Sequence, residues 1–269
     1  MDKEKYIISQ FKSKFIGDDG AVIGDLVYSK DIFIEDTHFK KGWLSLFEIG
    51  RKAIIINISD AIVMNAVPKY ALLGLLIPKS MSLNDIKELK NGIKFACEKY
   101  GVEIIGGDTV SSKLLGVSVS IISYSKNPIF RNPKKGELLA FTGSLGGSLK
   151  GLRALQRGAK ISKNSRFRDV KLRDKFFYKT AKFIKSAMDI SDGLASDLPK
   201  FVGNKDIKFL KNLDKFEFLS GEEYEILFSF DKKDKFRVIN EANKARVKLT
   251  IFGEVVNGRY KTKSRSWHF

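Results

Sequence analysis

Cysteine and histidine are nearly missing from this chain of 269 residues: Cys97 is the single thiol, and His38 and His268 are the two imidazoles. One cysteine excludes an internal disulfide and a multi-cysteine zinc site. It lies in the helical pattern Ile93-Lys94-Phe95-Ala96-Cys97, where a buried structural thiol is expected. Two histidines, neither near a nucleophile and an acid in sequence, argue against a histidine-rich metal centre and against a triad hydrolase. No stretch approaches the roughly 18 apolar residues of a membrane span, and the first residues lack a signal-peptide pattern. A cytoplasmic protein without membrane attachment is therefore expected. The common phosphate-binding signatures are also missing: no G-x-x-x-x-G-K-[ST] loop, no kinase H-R-D or D-F-G, and no G-x-G-x-x-G after a strand.

What is present is an unusual placement of acids in a chain of net charge +18. Carboxylates adjoin glycines at Gly17-Asp18-Asp19-Gly20, Gly106-Gly107-Asp108-Thr109, Asp189-Ile190-Ser191-Asp192-Gly193 and Gly221-Glu222-Glu223-Tyr224-Glu225. Asp31 and Asp60 sit in apolar surroundings. Glycine lets backbone approach a ligand, and clustered carboxylates repel one another unless cations lie among them. Oxygen-only donors favour a hard ion such as Mg²⁺, which commonly works with carboxylates and substrate phosphates. These residues point to a magnesium–nucleotide enzyme. The excess of lysine fits either a soluble basic surface or attraction to polyanions, and no zinc-finger, basic-zipper or RNP-type motif accompanies it.

Strand and helix signals alternate along the first part of the chain. Val27–Ile34 reads as a strand. The spacing predicts a helix over 44–64, with Asn57 and Asp60 on a face otherwise small or apolar, a polar patch that needs partners. Tyr70–Ile77 reads as a buried strand. Ser82 and Asp85 form a capping-box-like start for a helix that Gly101 ends. Val102–Ile105 reads as a short strand delivering Gly106-Gly107-Asp108 at its end, and 114–124, with Val117, Val119 and Ile121 alternating with serines, as another. A boundary is expected in Asn127-Pro128 to Gly136, giving units of 1–132 and 133–269. Beyond it a strand over 137–142 leads through Gly143-Ser144-Leu145-Gly146-Gly147-Ser148 into a helix. Such a turn can offer backbone N–H groups to a phosphate, although most turns of this kind are only turns. The fold expected is α+β: an N-terminal mixed sheet with helices, then a C-terminal α/β unit.

In order, these motifs resemble the thiamine-monophosphate kinase family, within the superfamily of aminoimidazole ribonucleotide synthetase and selenophosphate synthetase. The matching segments are Gly17-Asp18-Asp19-Gly20-Ala21-Val22, Asp31 with His38-Phe39, Asn57-Ile58-Ser59-Asp60, Met64-Asn65-Ala66-Val67-Pro68 and Gly107-Asp108-Thr109. They continue through Thr142-Gly143-Ser144-Leu145-Gly146, Asp189-Ile190-Ser191-Asp192-Gly193-Leu194, Gly221-Glu222-Glu223-Tyr224-Glu225 and Trp267-His268-Phe269. The resemblance implies a two-domain subunit that forms a homodimer through its N-terminal sheets, and ATP-dependent phosphorylation of thiamine monophosphate to thiamine diphosphate. It implies that Asp19, Ser29, Asp31, Asp60, Asp108, Asp189 and Asp192 hold several Mg²⁺ ions. Gly107, Asp108, Arg131 and Ser191 would contact ATP, and His38, Glu222 and Trp267 the thiamine side. No catalytic general base is expected, because a phosphate oxygen is already ionised near neutral pH and the obstacle is bringing two polyanions together.

The chain departs from the family at Glu223, where an aspartate is usual, and at Arg166-Phe167-Arg168-Asp169-Val170, which replaces a proline-rich stretch. Two alternatives stay open: another ATP-using enzyme of the superfamily, selenophosphate-synthetase-like or purine-synthetase-like, and a basic nucleic-acid-binding protein. Cys97 in a helical pattern is a poor match to a reactive N-terminal thiol, and nucleic-acid binding leaves the aspartates unexplained.

Overall fold

The computed structural model describes residues 3–261. After a short helix α1 (Lys3–Ser9), strands β1 (Ala21–Ile23) and β2 (Leu26–Ile34) form a hairpin. Helix α2 (Leu46–Val63), strand β3 (Val67–Pro78), helix α3 (Leu83–Tyr100), and strands β4 (Glu103–Ser112) and β5 (Gly116–Tyr124) follow. The five strands make one mixed sheet in the order β1-β2-β5-β3-β4, in which only β3 and β4 run parallel. Alternation sets its faces. Val117, Val119 and Ile121 of β5 point inward with Val27, Ser29 and Phe33 of β2, whereas Ser118 and Ser120 point outward beside Lys30.

The second half begins with β6 (Leu138–Thr142) and α4 (Gly147–Gln156), then α5 (Asp174–Thr180), β7 (Ile184–Asp189) and α6 (Leu194–Val202). It continues with β8 (Asp206–Phe209), α7 (Lys215–Leu219), β9 (Ile226–Phe230), α8 (Lys235–Lys244) and β10 (Leu249–Val256). Its sheet is antiparallel throughout, ordered β7-β9-β6-β10-β8. The architecture is α+β, two five-stranded sheets dressed with helices.

Local chemistry explains the two long helices. Ser45 and Ser82 each accept from the backbone N–H three residues on, while Glu48 and Asp85 return the bond, so both helices start in full capping boxes. Gly101 ends α3 in the left-handed region at φ 66°. Helix α2 is apolar on nearly every side, as a helix buried on all faces must be. It packs on β2 and β5 of the first sheet and on β7 and α5 of the second half, so residues of both halves share one core.

Helices α2 and α3 cross glycine against glycine. A methyl at Gly92 would stand 1.9 Å from the Phe47 carbonyl oxygen, and one at Gly50 2.3 Å from that of Leu89. Backbone cannot yield as a side chain can. Gly92→Ala is therefore expected to cost roughly 3 kcal/mol in urea unfolding. An unchanged midpoint would show that the helices separate freely.

Two expectations are corrected. Strand 70–77 is not fully buried: Tyr70 and Leu72 lie on the outer face, which no layer among the described residues covers. A continuous apolar run cannot say which face is covered. Strand β4 does not stop at Gly106 but runs through to Ser112, with a shift of register between Ala71/Ile104 and Leu72/Gly106. Gly107 permits that passage, since a side chain there would meet the Leu73 carbonyl oxygen at 2.0 Å.

Candidate functional site

Three of the aspartates meet. Each of Asp19, Asp60 and Asp189 has a carboxylate oxygen within 4.8 Å of the other two. They come from the turn before β1, the last turn of α2 and the end of β7, so both halves of the fold contribute. Asp189 closes a strand and does not cap the following helix, which starts at Leu194. Asp31, on the inner face of β2, adds its field to Asp60 and Asp189. Behind it the buried Ser29 hydroxyl donates to Asn57 Oδ1 at 2.9 Å, and Asn57 Nδ2 donates to the Val119 carbonyl at 2.7 Å. The polar patch on α2 is thus split: Asn57 ties the helix to the sheet, and Asp60 faces the acidic cluster.

The electrostatics are those of a cation site. Burial, then the neighbouring Asp31, Asp189 and Asp19, hold the Asp60 carboxyl well above its ordinary range. Burial, with Asp19 and Asp31, pushes Asp189 up to about 8, against the pull of a Ser59 hydrogen bond. Asp18 is raised to about 6 by burial and by Asp19. Asp189 Oδ2 is buried with no hydrogen-bond partner among the described residues. An all-carboxylate donor set, like charges pressed together and an orphaned buried oxygen all fit a hard divalent ion.

Arg131, expected on ATP, reaches this same cluster. Its guanidinium pairs with Asp19, and its backbone N–H donates to Asp18 Oδ2 at 3.0 Å. Asp192 stands apart from the three and pairs with Lys200 at 2.6 Å.

Next to the cluster is a cleft of about 250 Å³ lined by His38, Trp43, Leu149, Phe167, Ser191 and Glu222, among others. The two predicted thiamine-side residues within the described chain, His38 and Glu222, are therefore brought together. Ser191, two residues beyond Asp189, joins the cleft to the acids. His38 Nδ1 accepts from the Ile34 N–H at 3.1 Å, and its ring lies 5.3 Å from that of Phe33. Trp43 meets Phe167 edge-on at 6.0 Å and supplies an aromatic wall that sequence reasoning did not assign. Trp267 lies outside the described residues.

The turn Gly143–Ser148 holds an anion of the chain's own. Glu223 Oε1 accepts from the N–H groups of Gly146 and Ser148 at 2.8 and 2.9 Å and from the Ser220 hydroxyl at 2.5 Å. These N–H groups are therefore taken by a side-chain carboxylate, in keeping with the reading of a plain turn. Glu225, two residues on, receives Arg173 at 2.7 and 2.9 Å and Arg166 at 2.5 Å, which anchors the loop carrying Glu222.

Gly107 and Asp108 join neither group. Asp31, Val119, Leu73 and Gly107 form one transverse row, which puts β4 three strand spacings, roughly 14 Å, from Asp31. Alternation further places Asp108 on the outer face, and it is exposed.

An acidic cluster thus lies where the two sheets meet, beside an aromatic cleft. Residues 17–124 match the family described as AIR synthase related protein, N-terminal domain. The thiamine-monophosphate kinase of Buchnera aphidicola subsp. Schizaphis graminum is 31% identical, covering 91% of this chain and 85% of the relative. That of Aquifex aeolicus is 26% identical, covering 96% of this chain and 94% of its own. The solved structure of AaThiL complexed with AMPPCP and TMP superposes with a TM-score of 0.87 at 26% identity, over 99% of this chain and 96% of that one. The chain belongs to the thiamine-monophosphate kinase family.

Proposed function

We infer that the protein transfers the γ-phosphoryl group of ATP to the phosphate of thiamine monophosphate, giving thiamine diphosphate. The observation that carries this is the juxtaposition of the Asp19–Asp60–Asp189 cluster with the His38–Glu222 cleft. One site suits phosphates bridged by cations, the other a two-ring acceptor. The relatives' names and the complex with an ATP analogue and TMP supply the identity of the substrates.

Asp19, Asp60 and Asp189 would hold Mg²⁺, with Asp31 and the Ser29 region close by and Asp192 set apart. Bound there, Mg²⁺ would neutralise the charge of the two approaching polyphosphates and hold them in line. The chain's own groups orient the reactants. Arg131 brings a guanidinium to the same cluster, where it can face an ATP phosphate. Ser191 lies between the cluster and the cleft. The rings of Trp43 and Phe167 suit the pyrimidine and the cationic thiazolium, whose contact with an aromatic face is worth about 0.5–2 kcal/mol.

The outer face of the first sheet carries Tyr28, Ile32, Tyr70 and Leu72 exposed to solvent. A homodimer through this face would cover them. It would also bring Asp108 to an interface, which accounts for the separation of Gly107 and Asp108 from the acids of their own chain. Purified protein with ATP, Mg²⁺ and thiamine monophosphate is expected to form thiamine diphosphate and ADP in equal amounts. ATP binding without thiamine diphosphate would move the acceptor elsewhere, and neither binding nor turnover would reject the kinase reading.

A further inference from the structure

Lys52 is the anomaly of α2. Its side chain is only 1% exposed, in the middle of a helix buried on all sides. Its ammonium lies 2.9 Å from Glu222 Oε2 and 2.9 Å from the Phe167 carbonyl oxygen. The same ammonium sits 4.5 Å from the centre of the Phe167 ring and 5.4 Å from that of Phe33. Burying a lysine is costly unless it is paired, and an apolar side chain of similar volume commonly packs as well or better. Packing alone therefore gives no reason for a charge here.

The reason lies in Glu222. This residue lines the cleft in a left-handed conformation at φ 53°, with its N–H donating to the Ser191 carbonyl at 2.6 Å. Lys52 takes one carboxylate oxygen. The other, Oε1, is buried and has no hydrogen-bond partner among the described residues. A carboxylate with one oxygen clamped and the other open is an acceptor waiting for a donor.

We propose that Lys52 is the positioning residue that fixes Glu222 to receive the exocyclic amine of the acceptor's aminopyrimidine ring, an inference that rests on the kinase reading above. The helix also sets the span. Lys52 and Asp60 are eight residues apart, roughly 12 Å along the axis, so α2 holds the ring-recognising pair near its middle and the phosphate-side carboxylate in its last turn. Lys52 does not line the cleft. Its effect passes through Glu222, and it should govern affinity for the acceptor and leave ATP alone. A buried acceptor oxygen also discriminates: a ligand bearing oxygen in place of the amine leaves Glu222 Oε1 without its donor.

The test uses the full chain with Lys52→Met, Glu222→Gln and the double variant Lys52→Met/Glu222→Gln. Thiamine monophosphate binding is measured calorimetrically without ATP, and steady-state kinetics are measured with Mg²⁺. Lys52→Met is expected to weaken thiamine monophosphate binding and raise its KM about 30-fold, with the KM for ATP within about twofold. The double variant should bind no more weakly than Glu222→Gln alone, because both changes break one device. It also removes both buried charges, so it remains folded if the single lysine variant does not. Wild type should prefer thiamine monophosphate over its 4-oxo analogue, and Lys52→Met should lose that preference. Unchanged acceptor affinity, an equal rise in the KM for ATP, or additive losses in the double variant would overturn the proposal. Failure of wild type to bind or phosphorylate thiamine monophosphate would instead reject the kinase reading itself.

Discussion

Asp60→Asn is expected to make the metal-free protein harder to unfold and almost inactive at once. Asp60 is pressed among Asp19, Asp31 and Asp189, and its carboxyl is held well above the ordinary range by burial and by those neighbours. Asparagine keeps the shape and removes one of the like charges. In chelator at pH 8 the variant should gain about 1–3 kcal/mol of stability in urea unfolding. Thiamine diphosphate formation should fall on the order of 10³-fold, the scale for losing an electrostatic contact to a transferring group. A cluster that serves packing would behave in the opposite way: removal of Asp60 would destabilise the protein and spare activity. Retention of full Mg²⁺-dependent turnover by Asp60→Asn would sink the metal assignment.

The second large effect is a dependence of stability on pH that magnesium removes. Asp189 titrates near 8 in the folded metal-free protein, against an ordinary value of 3.8. The folded state thus keeps a proton that the unfolded chain has lost. The stabilisation is complete below the unfolded value of about 4 and disappears as pH rises toward 8. Asp18, raised to about 6, and Asp60 act in the same direction. In chelator the melting temperature should therefore fall between pH 5.5 and pH 8. Mg²⁺ at about 100 times its dissociation constant should restore roughly 2.7 kcal/mol at pH 8 and little at pH 5.5, where protons compete for the same oxygens. Asp189→Asn should flatten the profile. A flat profile for the wild type in chelator would mean that the acids do not interact as their geometry requires.

What the sequence disclosed was mostly local. The capping serine and aspartate of α3, its terminal Gly101 and the alternation in β5 are readable because each depends on residues a few positions apart. The family motifs carried the acids, and the fold unites three of them from segments as distant as residues 19 and 189. What stayed hidden was settled over long range. The partner of Lys52 is 170 residues away, so a lysine in Arg51-Lys52-Ala53-Ile54 looks like an ordinary polar position. The Gly146 and Ser148 N–H groups resemble an open phosphate cradle until Glu223 arrives from 75 or more positions downstream. The exposure of Tyr70 and Leu72 depends on which layers cover the sheet, and a run of apolar residues encodes burial tendency without a direction.

The position of α2 has a consequence for how the molecule comes apart. The strands divide cleanly into an earlier and a later sheet, yet the helix lends apolar surface to both. If the second half opened alone, α2 would lose the cover of β7 and α5 and present isoleucines to water. If the first half opened alone, Lys52 and Asp60 would be pulled from Glu222 and Asp189. The two sheets are therefore expected to unfold together in one transition, and a fragment cut at the connection between them would carry half of an unfinished core.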